Sequence, residues 1–147
     1  METTTRVTKQ DLIDGLNADL AHEYQAILMY TTYAAMSSGI HRPILRSFFE
    51  EEIPEELTHA QFLAQKITAL GGRPTTEPAP ISLSDDNHSM LEHVLEAETQ
   101  TIERYVQRRR EAEAFGDYGL AAELDDIIRD ETRHKEETEK LLRTLES

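Results

Sequence analysis

Glutamate and histidine recur in this chain at spacings that suit transition-metal binding. Glu23, Tyr30, Glu56 and His59 return 75 positions later as Glu98, Tyr105, Glu131 and His134. Within each copy the two glutamates stand 33 residues apart, and the second opens a Glu-x-x-His. On a helix, residues three apart share a face, so this carboxylate and imidazole aim at one point. Carboxylate plus imidazole is a donor set for iron, manganese or zinc, and bridging carboxylates suit a pair of such ions. Together the copies supply four carboxylates and two imidazoles, enough for two ions side by side.

The elements that must position these residues repeat at the same offset. Leu16/Leu91, Leu20/Leu95, Ile27/Ile102, Ile53/Ile128 and Leu70/Leu145 are matched pairs, which marks a duplicated helical hairpin. Four helices are predicted, over about 9–38, 43–70, 86–114 and 117–145. Thr8 with Asp11 makes a capping-box start, and Ser37-Ser38-Gly39 a stop. Pro43 suits a first turn, and Gly71-Gly72 ends the second helix. Phe115-Gly116-Asp117 turns the third helix into the fourth. Pro54 costs the second helix a hydrogen bond, so a kink or irregularity is expected beside Glu56. The stretch 71–85, rich in Pro, Gly and Thr, is the one long connection. Two antiparallel hairpins joined by one crossover make an all-α four-helix bundle, read as a single domain over 1–147, with a pseudo-two-fold axis through its core.

Each of the four glutamates falls in the middle of an apolar seam, such as Leu12, Leu16, Leu20, Glu23, Ile27, Tyr30, Ala34. A buried carboxylate without a partner costs several kcal/mol, so it must be paired, protonated or bound to metal. No Lys or Arg falls on those seams near Glu23, Glu56, Glu98 or Glu131. A buried ion-pair network is the bland alternative, but it explains neither the repeat nor the missing cations. Asp19-x-x-His22 and Asp85-x-x-His88 share the spacing off the seams, and both histidines are expected to be exposed.

Around the six, Tyr30 and Tyr105 lie two turns past Glu23 and Glu98 on the same faces. Tyr30 is read as a hydroxyl that orients a carboxylate or supplies an electron; Tyr105 is equally well a core aromatic. Glu55 and Asp130, each just before a seam glutamate, either accept the free N–H of the opposite hairpin's histidine or are solvated acids. Glu52 breaks the symmetry, since Ile127 stands at its repeat position. It is read as an approach-path carboxylate on the acidic Glu50-Glu51-Glu52 face, with an extra ligand as the alternative.

Composition narrows the function classes. A formal charge of −14 argues against nucleic acid as partner and concentrates cations near the surface. The one basic cluster, Arg108-Arg109-Arg110, lies among glutamates and is read as a solvated helix face. With no cysteine, disulfides, thiolate sites and iron–sulfur clusters are excluded. The start METTTRVTKQD has no apolar leader core, and no apolar stretch can span a bilayer, so a cytoplasmic location is expected.

LNADLAHEYQAILMY, EELTHAQFLAQKITALGG, LEAETQTIERY and RDETRHKEE together resemble the ferritin-like di-iron superfamily, most closely its bacterioferritin branch. The resemblance covers nearly the whole length. It implies that Glu23 and His59 bind one iron, Glu98 and His134 the other, with Glu56 and Glu131 bridging. It also implies a ferroxidase: Fe²⁺ is oxidised by O₂ or H₂O₂, and Fe³⁺ passes to a mineral core in a protein shell, giving iron storage and protection from oxidative stress. Bacterioferritins ligate haem through a methionine directly after the second-helix glutamate; here that residue is Leu57, and no haem is expected. The chain stops at Ser147, without that branch's short fifth helix. A 12-subunit miniferritin-like shell or a dimer is therefore weighed beside a 24-subunit cage. Miniferritins, however, usually place metal between subunits, and their basic tails are missing here. A catalase- or peroxidase-like enzyme with two manganese or iron ions is the second reading. An interaction protein with structural metal is the third.

Overall fold

The computed structural model describes residues 6–146; residues 1–5 and 147 lie outside, and with them part of the METTTRVTKQD stretch and the Ser147 end. Four helices run in the order α1 (Lys9–Met36), α2 (Arg42–Ala69), α3 (Asn87–Phe115) and α4 (Tyr118–Glu146), with no strand among the described residues.

Local chemistry explains where each helix starts and stops. Thr8 Oγ1 accepts from the Asp11 amide at 3.0 Å, and Asp11 returns the bond to the Thr8 amide at 2.9 Å. α1 ends at Met36, two residues before the expected stop, because Ser37 turns extended and Gly39 takes φ +72°. The Arg42 guanidinium then donates to the α1 carbonyl of Ala35 at 3.0 Å and to the carbonyl of Ser37 just beyond it at 2.5 Å, a cation on a helix C-terminus. Gly71 (φ +88°) and Gly116 (φ +98°) adopt the left-handed conformation that closes α2 and α3. Asp86 and Asp117 cap α3 and α4, each accepting the amide three residues on, at 2.9 and 3.0 Å. α2 stays helical through Pro54. The proline removes one ladder bond, and the Thr58 hydroxyl donates to the Pro54 carbonyl at 3.0 Å.

α1 packs on α2, α3 on α4, and α1 on α3; α2 and α4 approach less closely and leave a wider seam. The crossover is tied to α1 by Asn17, which accepts from the Thr75 amide at 2.8 Å, and by Ala79, whose amide donates to the Ala21 carbonyl at 2.9 Å.

Two apolar clusters fill the bundle, one toward each end. Leu12, Leu16, Leu63, Ile67, Tyr105, Leu124 and Ile127 belong to the first. Tyr30, Tyr33, Phe49, Leu91, Val94 and Leu142 belong to the second. Between them lies a layer of buried carboxylates and imidazoles. Each cluster presents one tyrosine of the repeat toward that layer.

Candidate metal centre

Glu23, Glu56, His59, Glu98, Glu131 and His134 meet in this layer, and each is between 2% and 4% exposed. Glu56 and Glu131 face both imidazoles. Glu56 sets Oε1 3.4 Å from His134 Nδ1 and Oε2 3.8 Å from His59 Nδ1. Glu131 does the converse, with Oε1 3.3 Å from His59 Nδ1 and Oε2 3.8 Å from His134 Nδ1. Glu23 Oε1 stands 3.9 Å from His59 Nδ1. Donor atoms of Glu23, Glu56, His59 and Glu131 gather within 4.8 Å of one another, and so do those of Glu98, Glu131 and His134.

The outer nitrogens of the imidazoles are held from the opposite hairpin. His134 Nε2 lies 2.5 Å from Glu55 Oε2, and His59 Nε2 lies 3.2 Å from Asp130 Oδ2. A carboxylate on Nε2 fixes the tautomer, leaving the Nδ1 lone pair for the centre. Arg133 in turn donates to Glu55 at 2.5 Å. Beside these groups a surface cleft of about 270 Å³, lined by Pro54, Glu55, Thr58, His59 and Asp130, opens on the α2–α4 seam.

Among the described residues, seven buried polar atoms lack a hydrogen-bond partner: Glu23 Oε2, Glu52 Oε2, Glu56 Oε1, Glu98 Oε2, Glu131 Oε1, His59 Nδ1 and His134 Nδ1. Buried groups normally find partners, so seven orphans in one layer need an explanation. Two cations satisfy this test, because every orphan is an oxygen or an imidazole nitrogen with a lone pair to give.

The electrostatics say the same. Burial, and then the charge of Glu56, hold Glu23 well above the usual carboxylate range. Burial pushes Glu98 up to about 8, and burial with the Glu131 charge does so for Glu56. For Glu131 burial is outweighed by the His59 and Glu56 side chains beside it and by the charge of the imidazoles, and its pKa is lowered. Burial lowers His59, but the Glu131 carboxylate beside it and the charge of Glu23 carry it up to about 9. His134 is similarly raised, against burial, to about 12 by Glu52 and Glu56. Without metal, protons hold the layer together. Among the described residues, the only cations within ion-pair distance of Glu23, Glu56 and Glu131 are the two imidazoles.

Several surroundings differ from expectation. Tyr105, read equally well as core filler, donates to Glu23 Oε1 at 2.5 Å. Tyr30 is 2% exposed, packs its ring 6.3 Å from Phe49, and is surrounded by the charges of Glu98, Glu56 and Glu131. Glu52 is not on the solvated face: it is 7% exposed and sets Oε2 2.6 Å from His134 Nδ1. The helical period places it on the same seam as Phe49 and Glu56, whereas Glu50 and Glu51 turn outward. Arg108 also departs from the solvated reading. It is 8% exposed and pairs through Nε with Asp19 Oδ2 at 2.8 Å, while Arg109 makes the exposed pairs expected of that cluster. His22 and His88 are half-buried rather than exposed, and neither joins the layer.

Thr138 lies on the α4 seam one turn past His134, where the repeat does not mark it because Leu63 stands at its matching position. Its hydroxyl donates to Glu98 Oε1 at 2.6 Å. A polar residue on an otherwise apolar seam, four after a histidine, was the available signal.

Comparison with known proteins agrees with this geometry. The ferritin family profile, described as a ferritin-like domain, matches residues 13–147. A ferritin-like diiron-carboxylate protein from Bacillus anthracis str. Ames shares 47% identity at a TM-score of 0.90, over 91% of this chain and 96% of that one. The bacterioferritin-related dodecameric thioferritin of Bacteroides fragilis shares 26% at a TM-score of 0.87, over 95% and 89%. The Desulfovibrio desulfuricans bacterioferritin, described with its diiron site in different catalytic states, shares 26% at a TM-score of 0.84, over 94% and 81%. No curated protein sequence matches. With its family profile spanning nearly the whole chain and four helices meeting at a buried carboxylate–imidazole layer, the protein belongs to the ferritin-like domain family.

Proposed function

We propose that the protein is a ferroxidase that binds two Fe²⁺ within one chain and oxidises them with O₂ or H₂O₂. The observation that carries this is the set of seven orphaned donor atoms around two carboxylates that each face both imidazoles. Glu23, Glu56, His59 and Glu131 would hold one ion, and Glu98, Glu131 and His134 the other, with Glu56 Oε1 also facing His134. Each Fe²⁺ gives up one electron, so the pair delivers two to the oxidant. A carboxylate-rich set favours the harder Fe³⁺ product over Fe²⁺, which lowers the cost of oxidation.

The chain's own residues supply the rest. The cleft beside Glu55 and Asp130 is the route by which the cation reaches the layer, drawn by the acidic surface. Ions entering must displace protons from Glu56, Glu98 and the imidazoles, so uptake releases acid. The apolar clusters above and below keep bulk water from the layer.

A relative with a dodecameric assembly supports a closed homo-oligomeric shell, in which oxidised iron would be stored. Mixing metal-free protein with Fe²⁺ in air tests the reading. Oxidation of two irons per chain, followed by a soluble electron-dense core, is expected. Rapid peroxide disproportionation by manganese-loaded protein without a core would replace it with the catalase-like reading. Light scattering coupled to size exclusion should give a shell; a dimer there argues against storage.

A further inference from the structure

The two halves of the centre are not equivalent, and the difference lies in Glu52. At its repeat position α4 carries Ile127, which sits in an apolar cluster at 5% exposure. Glu52 is buried among charged groups, with Oε2 lacking a hydrogen-bond partner and 2.6 Å from His134 Nδ1. Glu56 Oε1 approaches the same nitrogen at 3.4 Å. Donor atoms of Glu52, Glu56 and His134 lie within 4.8 Å of one another, a third set that shares His134 with the Glu98–Glu131–His134 set.

We propose that Glu52 is a seventh ligand, serving the ion beside His134 and giving that position a charge that the one beside His59 lacks. The inference rests on the two-metal reading above. His134 already gives its Nε2–H to Glu55. Once Nδ1 gives its lone pair to a cation, that nitrogen has no proton left for Glu52. Glu52 Oε2 and His134 Nδ1 then become two lone pairs facing one ion. The alternative, a solvated acid, does not fit a side chain only 9% exposed.

The consequence is an order of filling. The ion beside His59 has one carboxylate of its own, Glu23, restrained by Tyr105. The ion beside His134 has two within reach, Glu98, held by Thr138, in one donor set and Glu52 in the other. More carboxylate charge tightens binding of a hard divalent cation. The His134 position therefore fills first and empties last, and its ion can shift between the Glu98–Glu131 and Glu52–Glu56 sets without leaving His134.

Anaerobic titration of the metal-free full chain with Co²⁺, followed by calorimetry and by visible absorption, tests this. Wild type is expected to take two ions in two resolved steps. Glu52→Gln, nearly isosteric, should still take two but with the tighter step weakened on the order of tenfold or more, and with an altered spectrum for the first ion. In a His59→Ala background the remaining ion should keep its sensitivity to E52Q; in a His134→Ala background it should lose it. An E52Q titration and spectrum identical to wild type overturn the inference alone. So does sensitivity that survives His134→Ala. Wild-type uptake of fewer than two Co²⁺ overturns the two-metal reading and the inference with it.

Discussion

Each shared glutamate meets both imidazoles with one oxygen apiece, so removing it unmakes both metal positions at once. Glu56→Ala or Glu131→Ala should slow iron oxidation on the order of 100-fold, the scale set by losing the geometry of two reactants. Circular dichroism should show unchanged helix content, and a wild-type rate in stopped-flow absorbance would remove these residues from the site. Tyr105 acts through another residue: its hydroxyl donates to Glu23 Oε1 and so orients that carboxylate. Tyr105→Phe should therefore weaken the second Co²⁺ step by about tenfold and leave the first in place. If the first step weakens instead, the filling order drawn from Glu52 is reversed.

At the scale of helices, α1 and α3 are pinned by a charge pair rather than by apolar ridges alone. Arg108 crosses from α3 over Gly15 to reach Asp19, and a Cβ at Gly15 would fall 1.9 Å from Arg108 Nη1. Glycine costs a helix interior about 1 kcal/mol relative to alanine, and here it makes room for the guanidinium. Burial raises the Asp19 pKa to about 6 despite the Arg108 hydrogen bond. Arg108→Ala leaves that carboxylate buried and unpaired, and should destabilise the protein by about 3–5 kcal/mol. Replacing both partners, Asp19→Leu with Arg108→Met, should recover most of the loss. Denaturant unfolding of the metal-free protein measures both; a double variant as weak as the single one contradicts the pairing. In the sequence this arginine was hidden in a run of three, of which one is buried, one half-buried and one exposed.

For the whole molecule, the buried acids and imidazoles couple stability to pH. Glu56 and Glu98 titrate near 8 when folded and His59 near 9, all above their ordinary values. A raised folded pKa means stability that is complete below the unfolded value and is lost as pH rises through the folded one. The metal-free protein should therefore melt at progressively lower temperature between about pH 6 and pH 9. Glu131 is shifted the other way, and its contribution is lost only in acid, outside that window. Bound cations replace the protons, so the loaded protein should show a much flatter melting profile over the same range. A metal-free profile that is flat or rises with pH shows that these carboxyls are hydrated rather than buried.

The amino-acid sequence determined the helices, their seams and the six residues that meet in the layer, because helical period and an internal repeat are local, countable properties. Thr8 and the glycines at 71 and 116 act on neighbours within a turn, so those helix ends were legible too, whereas α1 stops two residues short of its predicted end. Tertiary structure alone decided what depends on rotation about a helix axis and on the facing helix. It set Glu52, which the helical period already places on the inner seam, against His134 of the facing hairpin. It paired Arg108 with Asp19, 89 positions away, and gave the carboxylate hydrogen bond to Tyr105. The repeat announces a symmetric centre. Packing makes it asymmetric, because Glu52 and Thr138 face the His134 half while Ile127 and Leu63 stand at the matching places in the other.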